Sequence, residues 1–237
     1  MKIIPAIDIL YGKCVRLMQG DFDQVKIYNE DPLTVAYLFQ DADLEYLHVV
    51  DLEGAKKGNI VNWKVLTELQ EKTALLIDFG GGVKTEKDVE KLLDLDISQI
   101  NVGSLAVKEP EKFKRWLTEY GAQNFILSAD VRGEEVMVNG WLKSAKTNLF
   151  DLVKQFTEHG LQYLTCTDIS KDGMLNGPNV ELYKKLKAAF PKLRINASGG
   201  IASLDDLRQL KSIGINGAII GKAIYEQRIK LEDLKSL

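Results

Sequence analysis

Two aspartates in this sequence each end a short apolar stretch, and paired carboxylates can divide acid and base chemistry between them. Asp8 closes "IPAID" (4–8), and Asp130 closes "ILSAD" (126–130). Of two carboxyl groups that face a substrate from opposite sides, one can donate a proton and the other can remove one. Each such group typically raises the reaction rate by roughly 10²–10⁴. Metal binding is an alternative, but two isolated aspartates without a third ligand nearby in the sequence make a poor cage. Asp8 and Asp130 are therefore our candidate acid–base pair.

These aspartates need elements to position them, and the sequence alternates short β-rich runs with longer segments of helical periodicity. The helical segments include 85–95, 109–121 and 203–214, and several such segments begin with Ser or Thr and close with Gly. Eight alternations in a chain of 237 residues predict an α/β fold, a (β/α)₈ TIM barrel, with an open doubly wound sheet as the alternative. The predicted strands are 2–8, 46–51, 75–80, 99–103, 124–130, 163–168, 194–198 and 217–221.

The second half of the chain repeats the first at a nearly constant offset. Asp8 and Asp130 are 122 residues apart and two longer matches are 117 or 118 apart, so the offset changes only with loop length. The repeat predicts one barrel domain, 1–237, built from half-barrels of about 1–120 and 121–237. The longer matches are "LEYLHVVD" (44–51) with "LQYLTCTD" (161–168) and "GGVKTEKDVEKL" (81–92) with "GGIASLDDLRQL" (199–210).

Glycines lie at the ends of four predicted strands, at related positions in the two halves. Glycine lets backbone N–H groups approach an anion closely, and the helix that follows adds a favourable dipole. Barrels of this class bind phosphate after strands seven and eight, and the repeat predicts a second site after strands three and four. The substrate would then carry two phosphates, whereas simple turn glycines are the alternative. The candidates are Gly81, Gly82, Gly103 and Ser104 in the first half, and Ser198, Gly199, Gly200, Gly221 and Lys222 in the second.

The composition of the chain indicates which binding partners and which cellular compartment to expect. A net charge of −3 gives no reason to expect nucleic acid or an anionic membrane as a partner. Pro5 and Asp8 interrupt the N-terminus too early for a secretory signal, and no apolar run approaches the roughly 18 residues of a membrane span, so we expect a cytoplasmic protein. Cys14 and Cys166 lie in apolar runs and are expected to be buried thiols. We expect a monomer that binds a bis-phosphorylated small molecule, with no metal site.

Seven motifs span essentially the whole chain: "IPAIDILYGKCVRLMQGD" (4–21), "VVDLEGA" (49–55), "GGGVK" (80–84), "VGS" (102–104), "DVRGEEVMVNGW" (130–141), "TDISKDGMLNGPN" (167–179) and "ASGGI" (197–201). In order and spacing they resemble the phosphoribosylformimino aminoimidazole carboxamide ribotide isomerases of histidine biosynthesis. The resemblance implies a (β/α)₈ barrel that converts a bis-phosphorylated aminoaldose to the aminoketose by an Amadori rearrangement, without a cofactor. It implies Asp8 as proton acceptor and Asp130 as proton donor. Lys84 and Ser104 depart mildly, because arginine and threonine are frequent there.

Other residues of these motifs are candidate substrate contacts. Thr167 could hydrogen-bond the substrate or an aspartate, and Trp141 could stack on an imidazole ring or pack in the core. Asp168 and Asp172 are further acid candidates. For Asp130 to hold a proton near neutral pH, it needs a raised pKa or help from neighbours. The remaining candidates are Arg16, Gly173 and Gly177.

Three connections that follow predicted strands are long for this fold. They comprise 9–30, 131–147 and 169–178, and long loops at this face commonly act as lids. We expect all three to move over the substrate. The segment "SKDGMLNGPN" (170–179) is rich in turn formers and is expected to fold down only with ligand.

Three alternatives share the predicted architecture. The cyclase of the next pathway step carries "CLDV" and a lysine-bearing segment, whereas this chain has "AIDIL" and "CVRLMQGD", which favours the isomerase. A bifunctional isomerase that also serves tryptophan biosynthesis has an arginine-rich loop after strand five, where this chain offers only Arg132. A non-catalytic phosphosugar-binding barrel would keep the glycines but would not need Asp8 and Asp130.

Overall fold

The computed structural model describes residues 1–18, 20–138 and 140–234, without the side chains of residues 18 and 23. Eight parallel strands close into a barrel, in which β1 pairs with β4 on one side and β12 on the other. The predicted (β/α)₈ barrel is confirmed, with strand ends displaced by at most two residues. The barrel strands are β1 (Lys2–Leu10), β4 (Tyr46–Asp51), β5 (Leu76–Gly80), β6 (Gln99–Val102), β7 (Phe125–Arg132), β10 (Tyr163–Asp168), β11 (Arg194–Ser198) and β12 (Gly217–Ile220).

Helices follow the barrel strands and cover the outside of the barrel. The three helices predicted at 85–95, 109–121 and 203–214 are confirmed as α4, α6 and α9, each slightly shorter than predicted. The helices are α1 (Pro32–Asp41), α2 (Leu52–Lys57), α3 (Trp63–Lys72), α4 (Glu86–Asp94), α5 (Ser104–Lys108), α6 (Pro110–Glu119), α7 (Leu149–Thr157), α8 (Val180–Ala189), α9 (Leu204–Ser212), α10 (Lys222–Tyr225) and α11 (Leu231–Leu234), with a 3₁₀ turn at Ala122–Asn124.

The internal repeat extends to individual hydrogen bonds at the starts of helices. Thr85 caps α4, and its hydroxyl accepts from the backbone N–H of Asp88 while the Asp88 carboxylate accepts from the Thr85 N–H. Ser203 and Asp206 form the same reciprocal pair at the start of α9. Such a box satisfies two backbone donors that a helix terminus otherwise leaves unpaired. The two halves therefore begin matching helices with matching chemistry.

Two of the three long connections contain antiparallel strands, which corrects their prediction as loops. The connection 9–30 contains β2 (Lys13–Met18) and β3 (Asp21–Asn29), and 131–147 contains β8 (Glu135–Val138) and most of β9 (Lys143–Asn148). Tyr11 and Gly12, with φ of 53° and 74°, form the two-residue turn between β1 and β2. Positive φ at both central positions is the geometry of a type I′ hairpin turn. Tyr11 is not a residue that such turns favour, so the sequence did not announce this hairpin.

The core lies mainly between the barrel and the helices. Trp116, Tyr183 and Phe79 are among its largest fully buried side chains. Cys14 and Cys166 are buried free thiols, as predicted, and burial raises the pKa of each. Within the described ranges, no helix is long and apolar enough to cross a membrane.

Candidate active site

The two candidate acid–base residues occupy equivalent positions in their half-barrels. Asp8 lies on β1 opposite Val15 of β2, and Asp130 lies on β7 opposite Met137 of β8. Each aspartate therefore precedes a hairpin turn by the same number of residues, at the carboxyl end of a barrel strand. Active sites of this fold are built at that end. The hairpins help to fix the backbone at both positions, because each aspartate has a paired strand on either side.

Asp8 is paired with a cation. Its side chain is nearly buried, and Oδ2 accepts from Nη1 of Arg16 at 2.6 Å. Burial lowers the pKa of Arg16, but the nearby carboxylates of Asp8 and Asp172 more than offset this, so its pKa is raised. Nη2 of Arg16 lies against Gly221, where a Cβ would be only 1.1 Å from this nitrogen. Arg16 thus connects the candidate base to the end of β12.

Asp130, in contrast, accepts its side-chain hydrogen bonds from neutral donors. Nε1 of Trp141 donates to Oδ2 at 2.8 Å, and the Thr167 hydroxyl also donates to this carboxylate. Burial raises the pKa of Asp130, and these two hydrogen bonds offset only part of the shift. Of the two alternatives left by the sequence for Thr167, the structure shows the contact with an aspartate. A carboxyl group with a raised pKa is suited to deliver a proton.

Trp141 links the two hairpin segments. Its indole ring packs on Gly20, where a Cβ would lie 2.7 Å from Cε3 of the ring. The backbone of Trp141 has a φ of 72°, an uncommon conformation for a residue with a large side chain. The side chain is partly exposed, so it is not a core residue. Stacking on a substrate ring stays a prediction, and the observed contact is with Asp130.

The segment 169–178 is held by contacts within the protein, which corrects the expectation that only ligand folds it. The backbone N–H of Gly177 donates to the carbonyl of Gly200 at 2.9 Å. Nζ of Lys222 donates to the carbonyl of Gly173 at 2.8 Å. The segment also brings Asp172 close enough to interact with Arg16, Asp8 and Asp130, and burial raises the pKa of Asp172. Asp172 therefore joins the acid–base pair as a third carboxyl group.

Asp168 and its counterpart Asp51 are buried carboxylates that hold loops. Asp168 is 1% exposed and accepts from Ser170 and from Nδ2 of Asn179. Asp51 is 0% exposed and accepts from three backbone N–H groups and from Nδ2 of Asn62. The protein's own donors thus already meet the hydrogen-bonding needs of these two carboxylates. The geometry favours a structural role for Asp168 over the predicted substrate contact.

The predicted phosphate glycines divide into two kinds. Gly81, Gly82, Gly199 and Gly200 have φ between 85° and 103°, and at each a Cβ would lie within 3.0 Å of neighbouring backbone. Turn geometry alone is thus enough to require glycine there. Gly103 and Gly221 precede α5 and α10 with nearly identical backbone angles, φ and ψ of −104° and −96° against −109° and −95°. Phosphate binding at these two strand ends stays a prediction, and the repeat of their geometry supports it.

The two predicted phosphate sites differ in the residue that begins the helix after the glycine. Ser104 begins α5, whereas Lys222 begins α10 at the corresponding position. Ser198, at the end of β11, is fixed through its backbone, because its N–H donates to the Tyr183 hydroxyl, which itself donates to the Ser198 carbonyl. Among the candidates of the second half, Gly221 lies against Arg16 and Lys222 contacts Gly173.

A buried polar network inside the barrel was missed from the sequence. His48 on β4 contacts Asp78 through Nδ1, and Nδ2 of Asn101 donates to the same carboxylate oxygen of Asp78. Ser128 donates to Oδ1 of Asn101 at 2.8 Å. Burial lowers the pKa of His48, but the Asp78 carboxylate more than offsets this and raises it. The alternation of "YLHVVD", which turns His48 and Asp51 to opposite faces, was the available signal.

Comparison with known proteins finds matches over almost the whole chain. A family model described as "Histidine biosynthesis protein" matches residues 2–230. A protein of Flavobacterium johnsoniae is 48% identical over 236 residues, covering 100% of this chain and 98% of its own. Proteins of Cytophaga hutchinsonii and Parabacteroides distasonis are 47% and 44% identical, each covering 99% of this chain and 98% of its own. All three are named 1-(5-phosphoribosyl)-5-((5-phosphoribosylamino)methylideneamino)imidazole-4-carboxamide isomerase.

Proposed function

The chain belongs to the histidine biosynthesis protein family, and from this premise we propose that it is an aldose–ketose isomerase of that pathway. The substrate would be the bis-phosphorylated aminoaldose whose imidazole carboxamide is given in the relatives' names, and the product its aminoketose. One observation carries the proposal beyond family membership. Asp8 and Asp130 lie at equivalent strand ends but have different partners, a cation for one and neutral donors for the other.

We propose that Asp130 acts first, as the acid. Protonation of the ribose ring oxygen lets the bond between that oxygen and C1′ break, while the nitrogen lone pair forms a protonated Schiff base at C1′. Burial raises the pKa of Asp130 and so favours the protonated form that this step requires. A raised pKa is what Asp130 needs to hold a proton near neutral pH.

Asp8 would then act as the base. It removes the proton from C2′, and the C–H electron pair forms a C1′–C2′ double bond as the iminium electrons return to nitrogen. The resulting enol becomes the ketone when C1′ gains a proton and the C2′ hydroxyl loses one. The ion pair with Arg16 holds Asp8 in position and places a full positive charge beside it. All electrons of this rearrangement stay within the substrate, so the proposal includes no cofactor.

The proposed substrate has two phosphates, and the repeat supports one site for each. The ends of β5 and β6 would hold one phosphate, and the ends of β11 and β12 the other. The matching backbone of Gly103 and Gly221 supports this symmetry. We further propose a cytoplasmic, monomeric enzyme organised as a single barrel domain.

A direct assay tests the proposed function. Purified protein is incubated with the aminoaldose, and formation of the aminoketose is followed, with phosphoribosylanthranilate as a second substrate in parallel. We expect turnover of the aminoaldose, with a kcat within the range of roughly 1–10³ s⁻¹ usual for enzymes. Absence of product from folded protein would remove the isomerase assignment. Substantial turnover of phosphoribosylanthranilate would instead favour the bifunctional alternative.

Replacing Trp141 should shift the pH dependence of the reaction. The Trp141 N–H stabilises the carboxylate of Asp130, so its removal in Trp141→Phe raises the pKa of Asp130 further. Because the protonated form is the active one, the loss of kcat/KM at alkaline pH should begin at higher pH than in the wild type. The measurement is the pH profile of kcat/KM, with Trp63→Phe as a control remote from Asp130. An alkaline limb that stays in place would contradict the role given to this hydrogen bond.

A negative charge at position 104 should weaken binding of the phosphate proposed at the ends of β5 and β6. Ser104 is the first residue of α5, and an aspartate there is tolerated by a helix but repels an anion bound at its N-terminus. We expect Ser104→Asp to bind the product at least about tenfold more weakly than Ser104→Asn, which has the same shape without the charge. Calorimetry gives both affinities, and an analogue without the phosphate of that end should not distinguish the variants. Equal product affinities would argue against this phosphate site.

A further inference from the structure

A cavity of about 430 Å³ opens at the end of the barrel opposite to the aspartates. It lies where the barrel strands begin, and Lys2 opens the strand that carries Asp8 near its other end. Along an extended strand, these two residues are roughly 20 Å apart. The cavity is therefore separate from the acid–base site. Among its lining residues are Lys2, Tyr46, Asp78, Tyr163, Arg194 and Asn196.

Two cations converge on this cavity, each placed over a tyrosine. Nζ of Lys2 lies 4.2 Å from the ring centre of Tyr46, and the Arg194 guanidinium lies 5.1 Å from that of Tyr163. Arg194 also donates to the Tyr163 hydroxyl. Tyr46 and Tyr163 are equivalent in the two half-barrels, so the repeat builds two tyrosine platforms. A ring face attracts a cation and fixes its position without neutralising its charge.

The protein leaves these charges largely uncompensated. Among residues 1–18, 20–138 and 140–234, no carboxylate forms an ion pair with Lys2 or Arg194. The one acid in the lining, Asp78, is occupied by His48 and Asn101. Burial and the charge of Arg194 lower the pKa of Lys2, while Asp78 and Glu45 oppose this shift. The two cations thus repel each other across a partly enclosed space.

Uncharged polar groups also line the cavity, beside the apolar side chains of Ile4 and Leu76. The amide groups are those of Asn196, Asn216, Gln99 and Gln123. Gly217 pairs with both Lys2 and Asn196 in the sheet, and a Cβ on it would lie 2.3 Å from Oδ1 of Asn196, so a glycine there leaves room for this amide group. Amide groups can donate hydrogen bonds to the oxygens of an anion that the cations attract.

We propose that this cavity is a further anion site, which takes a phosphate group held between Lys2 and Arg194. The same chemistry would be met by inorganic phosphate or by the phosphate of a small metabolite. A dianion would relieve the repulsion of the two cations and would stabilise the fold by mass action. The site is independent of the proposed isomerase activity, and of the two phosphate sites proposed at the other end of the barrel.

Phosphate is also expected to bind at the catalytic end, so the test needs a signal that reports on this cavity alone. The rings of the two tyrosines provide that signal. Protein with ¹³C-labelled tyrosine is titrated with inorganic phosphate, and the ring signals of Tyr46 and Tyr163 are assigned with Tyr46→Phe and Tyr163→Phe. We expect both signals to shift and saturate with phosphate, but not with chloride at equal ionic strength. Ribose 5-phosphate is titrated in parallel, and tighter binding of it would identify an esterified phosphate as the preferred form.

Three variants decide the outcome. Lys2→Met and Arg194→Met should each weaken the affinity read from the tyrosine signals at least about tenfold. Lys192→Met removes the same charge from an exposed residue outside the cavity lining and should leave that affinity unchanged. An absence of saturable shifts, or equal affinities in all variants, would overturn the proposal. The readout requires no turnover, so it stands or falls separately from the isomerase assignment.

Discussion

Asp8→Asn is expected to lower kcat by about 10²–10⁴ while the bis-phosphorylated product still binds. The amide cannot remove the C2′ proton, whereas the two phosphates are held elsewhere in the proposed site. The loss should therefore appear in kcat and not in the affinity for product. Steady-state kinetics and calorimetric titration with product measure the two quantities on the same preparation.

The partner of Asp8 supplies the control for this experiment. Asp8→Asn leaves the Arg16 guanidinium without its ion pair, so a part of any loss could come from displaced Arg16. Arg16→Lys keeps a cation beside Asp8 and leaves the carboxylate in place, and it should lose less activity than Asp8→Asn. Asp8→Asn enzyme with more than about a tenth of wild-type kcat would be inconsistent with a role as base.

Asp130→Asn should also lower kcat by about 10²–10⁴, and it should remove the alkaline limb from the pH profile. The acid form of Asp130 is the species that protonates the ring oxygen, and its population falls as pH rises through its raised pKa. An asparagine does not titrate, so the residual activity should no longer fall through this limb. Activity assays across neutral and alkaline pH show both effects.

Asp172 is the residue that could undermine this assignment. It is a second carboxyl group whose pKa is raised by desolvation, and it interacts with both Asp8 and Asp130. Asp172→Asn is the matched variant, since it removes the same group from the neighbouring position. Should Asp172→Asn eliminate the alkaline limb while Asp130→Asn keeps it, the acid would be Asp172.

The difference between the aspartates arises from the partners that the two hairpins supply. Both aspartates occupy the same register, yet β2 brings Arg16 to Asp8, whereas the segment after β8 brings Trp141 to Asp130. A repeated scaffold thus holds two carboxyl groups in unlike environments. Unlike environments are what allow one carboxyl group to serve as acid and the other as base.

Sequence alone determined the barrel and the position of its candidate acid–base pair. Strand and helix periodicities are local properties, so eight strands could be located from short windows. The repeat added long-range information, because it related Asp8 to Asp130 through matching segments. Helix starts such as Thr85 and Ser203 followed from the same local rules.

Only the tertiary structure decided how each residue is used. The raised pKa of Asp130 depends on burial by segments far away in the chain, and no local pattern encodes that burial. Asp168 reads as an acid candidate in sequence, but barrel closure buries it and gives its oxygens to Ser170 and Asn179. The hairpins were predicted as loops because a short two-stranded hairpin is only marginally stable by itself, and pairing with a barrel strand is what orders each of them. Spacing locates side chains along the chain, whereas their charge and hydrogen bonds depend on neighbours that only folding brings together.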